Sequence, residues 1–336
     1  MLGKNELDKL GIQDWSAIAA ECEGSDLLLG NGFSLILAPS LHYNSLFEKF
    51  IANCNSRDEG IFRSFETPNF EFILEKLSNA KDVNKIFGIG SSEIKDAIGC
   101  LKEGLIKTIE TVHPRWGKTD QQHLRRIAAK LDRFKDIFTL NYDLYLYRII
   151  LILNDEHRNG KKVQPYSDYF WEDYDDKFLR FSSSKEFEGY RHPYYLHGAL
   201  FLFRGLVDDL KLRRANFPEE LIEVIGDTIR EGRLPLFVSE GTYEQKWRAI
   251  RRSHYLEFAL EKLKKSDNNL VIFGTSLSDP DAHIVNAIAQ NKRDLAVSIH
   301  IHTKSRDEVV SAKYRIRSMF PRHQISFFRA DTLFDS

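Results

Sequence analysis

Short, unbroken apolar runs alternate along this chain with longer stretches in which apolar residues recur every three or four positions. The runs read as buried strands and the stretches as helices. Leu27, Leu28 and Leu29 form the first run, which stops at Gly30. Leu46, Phe47 and Phe50 then share one face of a helix over residues 43–52. Helical spacing dominates up to about residue 135. Phe70, Ile73, Leu74 and Leu77 mark one helix, Ile94, Ile98, Leu101, Leu105 and Ile109 another, and Leu124, Ile127, Ala128 and Leu131 a third. Residues 55–135 are therefore expected to form a helical insertion on one edge of a sheet.

A strand over 136–140 follows, then a buried helix from Leu144. Residues 155–192 have no clean period; Asn159-Gly160 signals a turn, and the segment reads as a loop or hairpin excursion. Tyr194, Tyr195 and Leu196 form a short strand ending at His197-Gly198. A second excursion, 199–233, contains one helix over 218–229, and Leu236, Phe237 and Val238 form another strand. Thr242 and Gln245 make a capping box for a helix carrying Trp247, Ile250, Leu256, Ala259, Leu260 and Leu263. A strand over 269–273 leads to Ser278-Asp279-Pro280-Asp281, a helix start with proline in its first turn. Strands over 297–301 and 325–328 flank a final helix.

Strand, elbow and helix repeated in this way predict an α/β fold. We expect one domain over 1–336, with a Rossmann-like, mostly parallel sheet and helices on both faces. Such folds bind ligands beyond the carboxyl ends of their strands, which is where four polar elbows fall. Gly30-Asn31-Gly32-Phe33-Ser34 can turn tightly and present backbone N–H groups to a pyrophosphate, but Leu35 stands where the dinucleotide fingerprint wants a third glycine. Its plainer reading is a turn. Thr139-Leu140-Asn141-Tyr142-Asp143 offers an uncharged amide to position water and a carboxylate to hold a ribose. Equally, Asn favours turns and Asp caps helices. His197 can take a proton from water or a ribose hydroxyl, with Gly198 admitting a ligand, or it is an ordinary strand-end histidine. Gly274-Thr275-Ser276 suits phosphate oxygens or simply joins strand to helix.

Composition narrows the class of function. Lys plus Arg (48) nearly balance Asp plus Glu (49), so net charge provides no footprint for nucleic acid or an anionic membrane. Cys22, Cys54 and Cys100 are scattered, which suits a reducing cytoplasm, and they lack the paired spacing of a structural zinc site. His300 and His302 share one side of a strand but make only half a metal site. Lys246, Arg248, Arg251 and Arg252 read as a solvated helix face. No signal core follows Met1, and the longest apolar run, 144–153, is interrupted by Arg148. The expectation is a cytoplasmic protein with no membrane, no direct nucleic-acid partner and no metal.

Taken in order, the four elbows resemble the nucleotide site of the SIR2-like (sirtuin-type) family, and within it the bacterial anti-phage defence proteins. Sirtuins have Gly-Ala-Gly-x-Ser where this chain has Gly30 to Ser34, an Asn-x-Asp elbow matching Asn141 and Asp143, a His-Gly pair matching His197-Gly198, and a late Gly-Thr-Ser matching 274–276. Two features of sirtuin deacylases are missing: the paired Cys-x-x-Cys zinc module, and the Gly-Ile-Pro-Asp-Phe-Arg segment, whose place is taken by residues 41–47.

The resemblance implies hydrolysis of NAD to nicotinamide and ADP-ribose, with NAD as substrate. Asn141, His197 and Asp143 would be catalytic. Gly30, Asn31, Gly32, Phe33, Ser34, Thr139, Gly274, Thr275 and Ser276 would bind NAD. It further implies an effector gated by homo-oligomerisation or by a partner, such as a HerA-type ATPase or a nucleotide-sensing subunit, docking on 155–192 and 199–233. A non-catalytic NAD or ADP-ribose sensor is the alternative, and an NAD-dependent protein deacylase a third.

Overall fold

A computed structural model describes residues 4–38, 46–113, 119–184, 189–205, 207–213, 221–238, 242–301 and 304–334. Among these the strands are β1 (Ile12–Gln13), β2 (Asp26–Leu29), β3 (Ile137–Thr139), β4 (Phe170–Asp173), β5 (Phe178–Phe181) and β6 (Pro193–Tyr195). They continue as β7 (Gly198–Arg204), β8 (Asp209–Leu212), β9 (Pro235–Phe237), β10 (Leu270–Phe273), β11 (Leu295–Ile299) and β12 (Ile325–Arg329).

Seven strands form one sheet in the order β1-β12-β11-β10-β2-β3-β6, and every pairing in it is parallel. Helices flank it, so the architecture is mixed α/β, as expected, and consistent with a Rossmann-like arrangement. β2 (Asp-Leu-Leu-Leu) and β10 (Leu-Val-Ile-Phe) are apolar nearly throughout because a parallel sheet covered by helices buries both faces. Each such leucine contributes roughly 1.5–3 kcal/mol by leaving water. The chain runs from β2 outward to β3 and β6, then returns to β10 and runs the other way to β12. Relabelled by position, with β1 set aside as an added edge strand beside β12, that is the 3-2-1-4-5-6 order of doubly wound sheets, with the switch point between β2 and β10.

The insertion between β2 and β3 is helical. Phe70–Ile86, Ser92–Val112 and Gln121–Leu131 bury Phe70, Ile73, Leu101, Leu105, Leu124 and Ile127. Asn69 and Asp120 cap two of these helices by accepting from Phe72 and His123 N–H.

The two excursions hold more strand than their sequence suggests. β4 and β5 pair as an antiparallel hairpin, and with β8, β7 and β9 they complete a second, antiparallel sheet in the order β4-β5-β8-β7-β9. The expected helix is present as Leu221–Arg230. β7 escapes a periodicity search because six of its seven residues are buried, which removes the apolar–polar alternation of a half-exposed strand.

The helix expected after Thr242 divides into Tyr243–Arg251 and His254–Lys265. Its capping box is present. The break is stabilised by Asp209, which accepts from Ser253 Oγ at 2.7 Å and Tyr255 N–H at 2.8 Å, while Ser253 caps the second helix through Leu256 N–H. Among the described residues no helix is long and apolar enough to cross a membrane.

Candidate functional site

The elbows after β2 and β10 are built into one another. Gly30 N–H donates to the Phe273 carbonyl and Gly32 N–H to the Gly274 carbonyl, both at 2.8 Å. A Cβ on Gly32 would lie 2.6 Å from the Gly274 Cα, so two backbones meet where no side chain fits. These two N–H groups, expected from the sequence to face a pyrophosphate, are instead taken by the neighbouring strand end.

Between the β2 and β3 ends lies a closed polar network. Asn141 Nδ2 donates to the Gly30 carbonyl at 2.9 Å and to Ser34 Oγ at 2.8 Å, and Ser34 in turn donates to the Asp143 carboxylate. The second Asp143 oxygen accepts from Tyr145 N–H at the start of helix Tyr145–Arg158. Thr139, fully buried, accepts from Asn141 N–H. Both Asn141 N–H bonds are therefore occupied, while its Oδ1 takes no partner among the described residues.

A cavity of about 1070 Å³ opens over these strand ends. Gly30, Asn31, Gly32, Asn141, Asp143 and His197 line it, as do Gly274, Thr275 and Ser276. Three expected binding residues do not: Ser34 and Thr139 sit beneath it in the network, and Phe33 packs edge-on against Phe334 in the core at 5.3 Å. Gly198 does not admit a ligand either. Its φ is +75°, and a Cβ there would stand 1.9 Å from the Leu236 carbonyl oxygen, where β7 meets β9.

The cavity also gathers residues that the sequence reading passed over. Lys246, read as a solvated charge, pairs with Asp281 at 2.6 Å on the cavity wall, with only 12% of its side chain exposed. Lys304 and Arg315 add positive charge. The Arg315 guanidinium donates to the Ser276 and Leu277 carbonyls and so fixes the loop after β10. His300 lines the cavity, whereas His302 lies outside the described residues.

His113, at the end of helix Ser92–Val112, also lines the cavity. Its Nδ1 contacts the Ile109 carbonyl at 3.1 Å and its buried Nε2 has no hydrogen-bond partner. Burial holds this ring below its ordinary pKa, partly offset by the charge of Asp143. Above pH 6.5 folded and unfolded chains are both neutral here; as pH falls below it, only the unfolded chain takes up the proton readily. Stability contributed by this site is thus lost on acidification. In urea melts above and below pH 6.5, His113→Gln is expected to show a smaller drop than the unsubstituted chain.

One expectation is overturned. The absence of a metal site was argued from three scattered cysteines and one histidine pair, yet His197, Asp281 and His283 converge, with their ligand atoms all within 4.8 Å of one another. His197 Nε2 lies 2.9 Å from His283 Nε2 and 3.9 Å from Asp281 Oδ1. Burial, then Lys246 and His283, holds His197 well below the ordinary histidine range. Burial brings His283 down to about 4. Both rings are consequently neutral near pH 7, with nitrogen lone pairs that can accept a proton or a cation. The sequence signal was Asp281-x-His283, read only as a helix start.

Fold and site together define an α/β protein with a polar, partly cationic cavity at a topological switch point. Residues 27–333 match the family described as a domain of unknown function (DUF4917), and the chain belongs to that family. No curated protein matches the chain.

Proposed function

We propose that this chain is an NAD glycohydrolase that releases nicotinamide and ADP-ribose. The observation that carries the reading is the placement of Asn141 and His197 at the ends of adjacent strands β3 and β6, beside a cavity over the β2/β10 switch point. That crevice is where doubly wound sheets receive dinucleotides. Its volume suits a ligand of that size.

In this reading the pyrophosphate lies toward Thr275, Ser276, Lys304 and Arg315, and the nicotinamide riboside toward Asn141 and His197. As the glycosidic bond lengthens, C1′ of the ribose gains positive charge. Asn141 Oδ1 accepts from the attacking water and aims it without competing as a nucleophile. A neutral His197 accepts the proton. Asp143 keeps both oxygens engaged by Ser34 and Tyr145, and its remaining lone pairs face the ribose hydroxyls. With the resemblance of its elbows to defence proteins of the SIR2 type, we assign the chain as a gated effector of bacterial anti-phage defence, controlled by oligomerisation or a partner.

The engaged state of the polar network favours one other reading. Ser34, Asn141 and Asp143 already satisfy one another, and His197 is held by His283, as in a rigid site that binds NAD or ADP-ribose without turnover. Incubating the chain with NAD, alone and with proteins encoded beside its gene, separates the two. Nicotinamide release supports hydrolysis, and NAD binding without release under every condition supports the sensor.

A further inference from the structure

We propose that His197, His283 and Asp281 bind one divalent first-row transition-metal ion at the cavity wall, in competition with the Lys246 ammonium. Asp281 and His283 come from one helix start, where the 3-10 turn Asp279–Asp281 runs into the helix Ala282–Gln290, and His197 comes from the junction of β6 and β7, 86 positions away. The fold has therefore brought a distant histidine onto a local Asp-x-His pair. Both rings are nearly inaccessible, His197 at 5% and His283 at 2% exposure.

The spacing is that of ligands around one ion. Metal–ligand bonds of about 2.0–2.1 Å at tetrahedral angles put ligand atoms roughly 3.3 Å apart. Two of the three separations, 2.9 Å between the imidazole nitrogens and 3.9 Å from His197 to the carboxylate, bracket that value, and all three lie within 4.8 Å, so side-chain shifts alone can close the site.

Two imidazoles and one carboxylate suit zinc, cobalt or ferrous iron; magnesium and calcium want more oxygen, and cuprous copper wants sulfur. The surroundings also match. A ligating histidine usually gives its other ring N–H to a backbone carbonyl, and the Leu140 backbone is the group near His197 that favours a proton on its ring. His283 Nδ1, by contrast, is buried without a partner among the described residues, so the match in the surroundings is confined to His197 and Asp281. Asp281 is already neutralised by a cation, Lys246 Nζ at 2.6 Å, a role that a metal ion can take over. Because His197 and Asp281 line the cavity, three protein ligands leave the open coordination position facing it.

The test is titration of the whole chain with Co2+, followed by visible ligand-field absorption and by metal analysis after dialysis. One equivalent should bind and be displaced by Zn2+. His283→Asn should weaken binding at least about tenfold. Lys246→Met, which removes the competing ammonium and leaves all three ligands, should tighten it. No stoichiometric uptake by the unsubstituted chain would overturn the proposal, as would uptake that neither variant alters while circular dichroism shows both folded. Because no measurement in this set contains NAD, its failure leaves the reading of NAD cleavage untouched; a bound ion would occupy the His197 nitrogen, so proton acceptance by that ring belongs to the metal-free chain.

Discussion

Asn141→Ala is expected to lower the rate of nicotinamide release from NAD by at least about 100-fold, the scale of losing a positioned catalytic group. The side chain spans two levels of the site. Its Nδ2 fastens the β2 elbow through Gly30 and Ser34, and its Oδ1, on a side chain that lines the cavity, takes no partner among the described residues. Alanine removes the water-aiming oxygen and also leaves Ser34 with one partner fewer. A comparable loss is expected for His197→Ala, which removes the proton acceptor from the neighbouring strand end. Melting temperature should be recorded beside the rate. A folded variant of either kind that turns over NAD like the unsubstituted chain would remove these residues from the mechanism.

The largest effect on stability is expected from Gly198→Ala, at about 3 kcal/mol or more. Two costs fall together. The backbone at 198 is in the left-handed region at φ +75°, and the added methyl would sit 1.9 Å from the Leu236 carbonyl oxygen. Relief requires moving β7 away from β9, while Val238 N–H is tied to the His197 carbonyl at 2.8 Å. The shift would therefore reach His197 itself. Urea unfolding measures the cost directly. A loss under about 1 kcal/mol would mean that the β7–β9 junction yields easily, contrary to the contacts described here.

The sheet was legible because its strands are buried on both faces and end in residues that cannot continue them. Leu27 to Leu29 stop at Gly30, and the run from Leu270 to Phe273 stops at Gly274. Helix starts were legible where a capping box satisfies free N–H groups, as at Thr242, or where proline stands in the first turn, as at Ser278-Asp279-Pro280. The second sheet was not. Burial of β7 removes alternation, and antiparallel partners such as β5 and β8 are fixed by contacts between distant segments. The site divides in the same way. Elbows are local and carry their own signal, so Asn141, Asp143 and His197 could be found. The union of His197 with His283 spans 86 positions and depends on the return of the chain to β10. Lys246 resembled any other helix-face lysine until its partner Asp281 was in place. His113 stands at the end of a helix whose sequence signals only core packing.

The measurement that bears most directly on the central claim is the crystal structure of Asn141→Ala with NAD, the substitution being chosen to preserve the dinucleotide. NAD is expected in the cavity over the β2/β10 switch point, its pyrophosphate against Thr275, Ser276, Lys304 and Arg315, and its nicotinamide ribose between residue 141 and His197. NAD bound elsewhere, or a cavity left empty at saturating NAD, would contradict that claim.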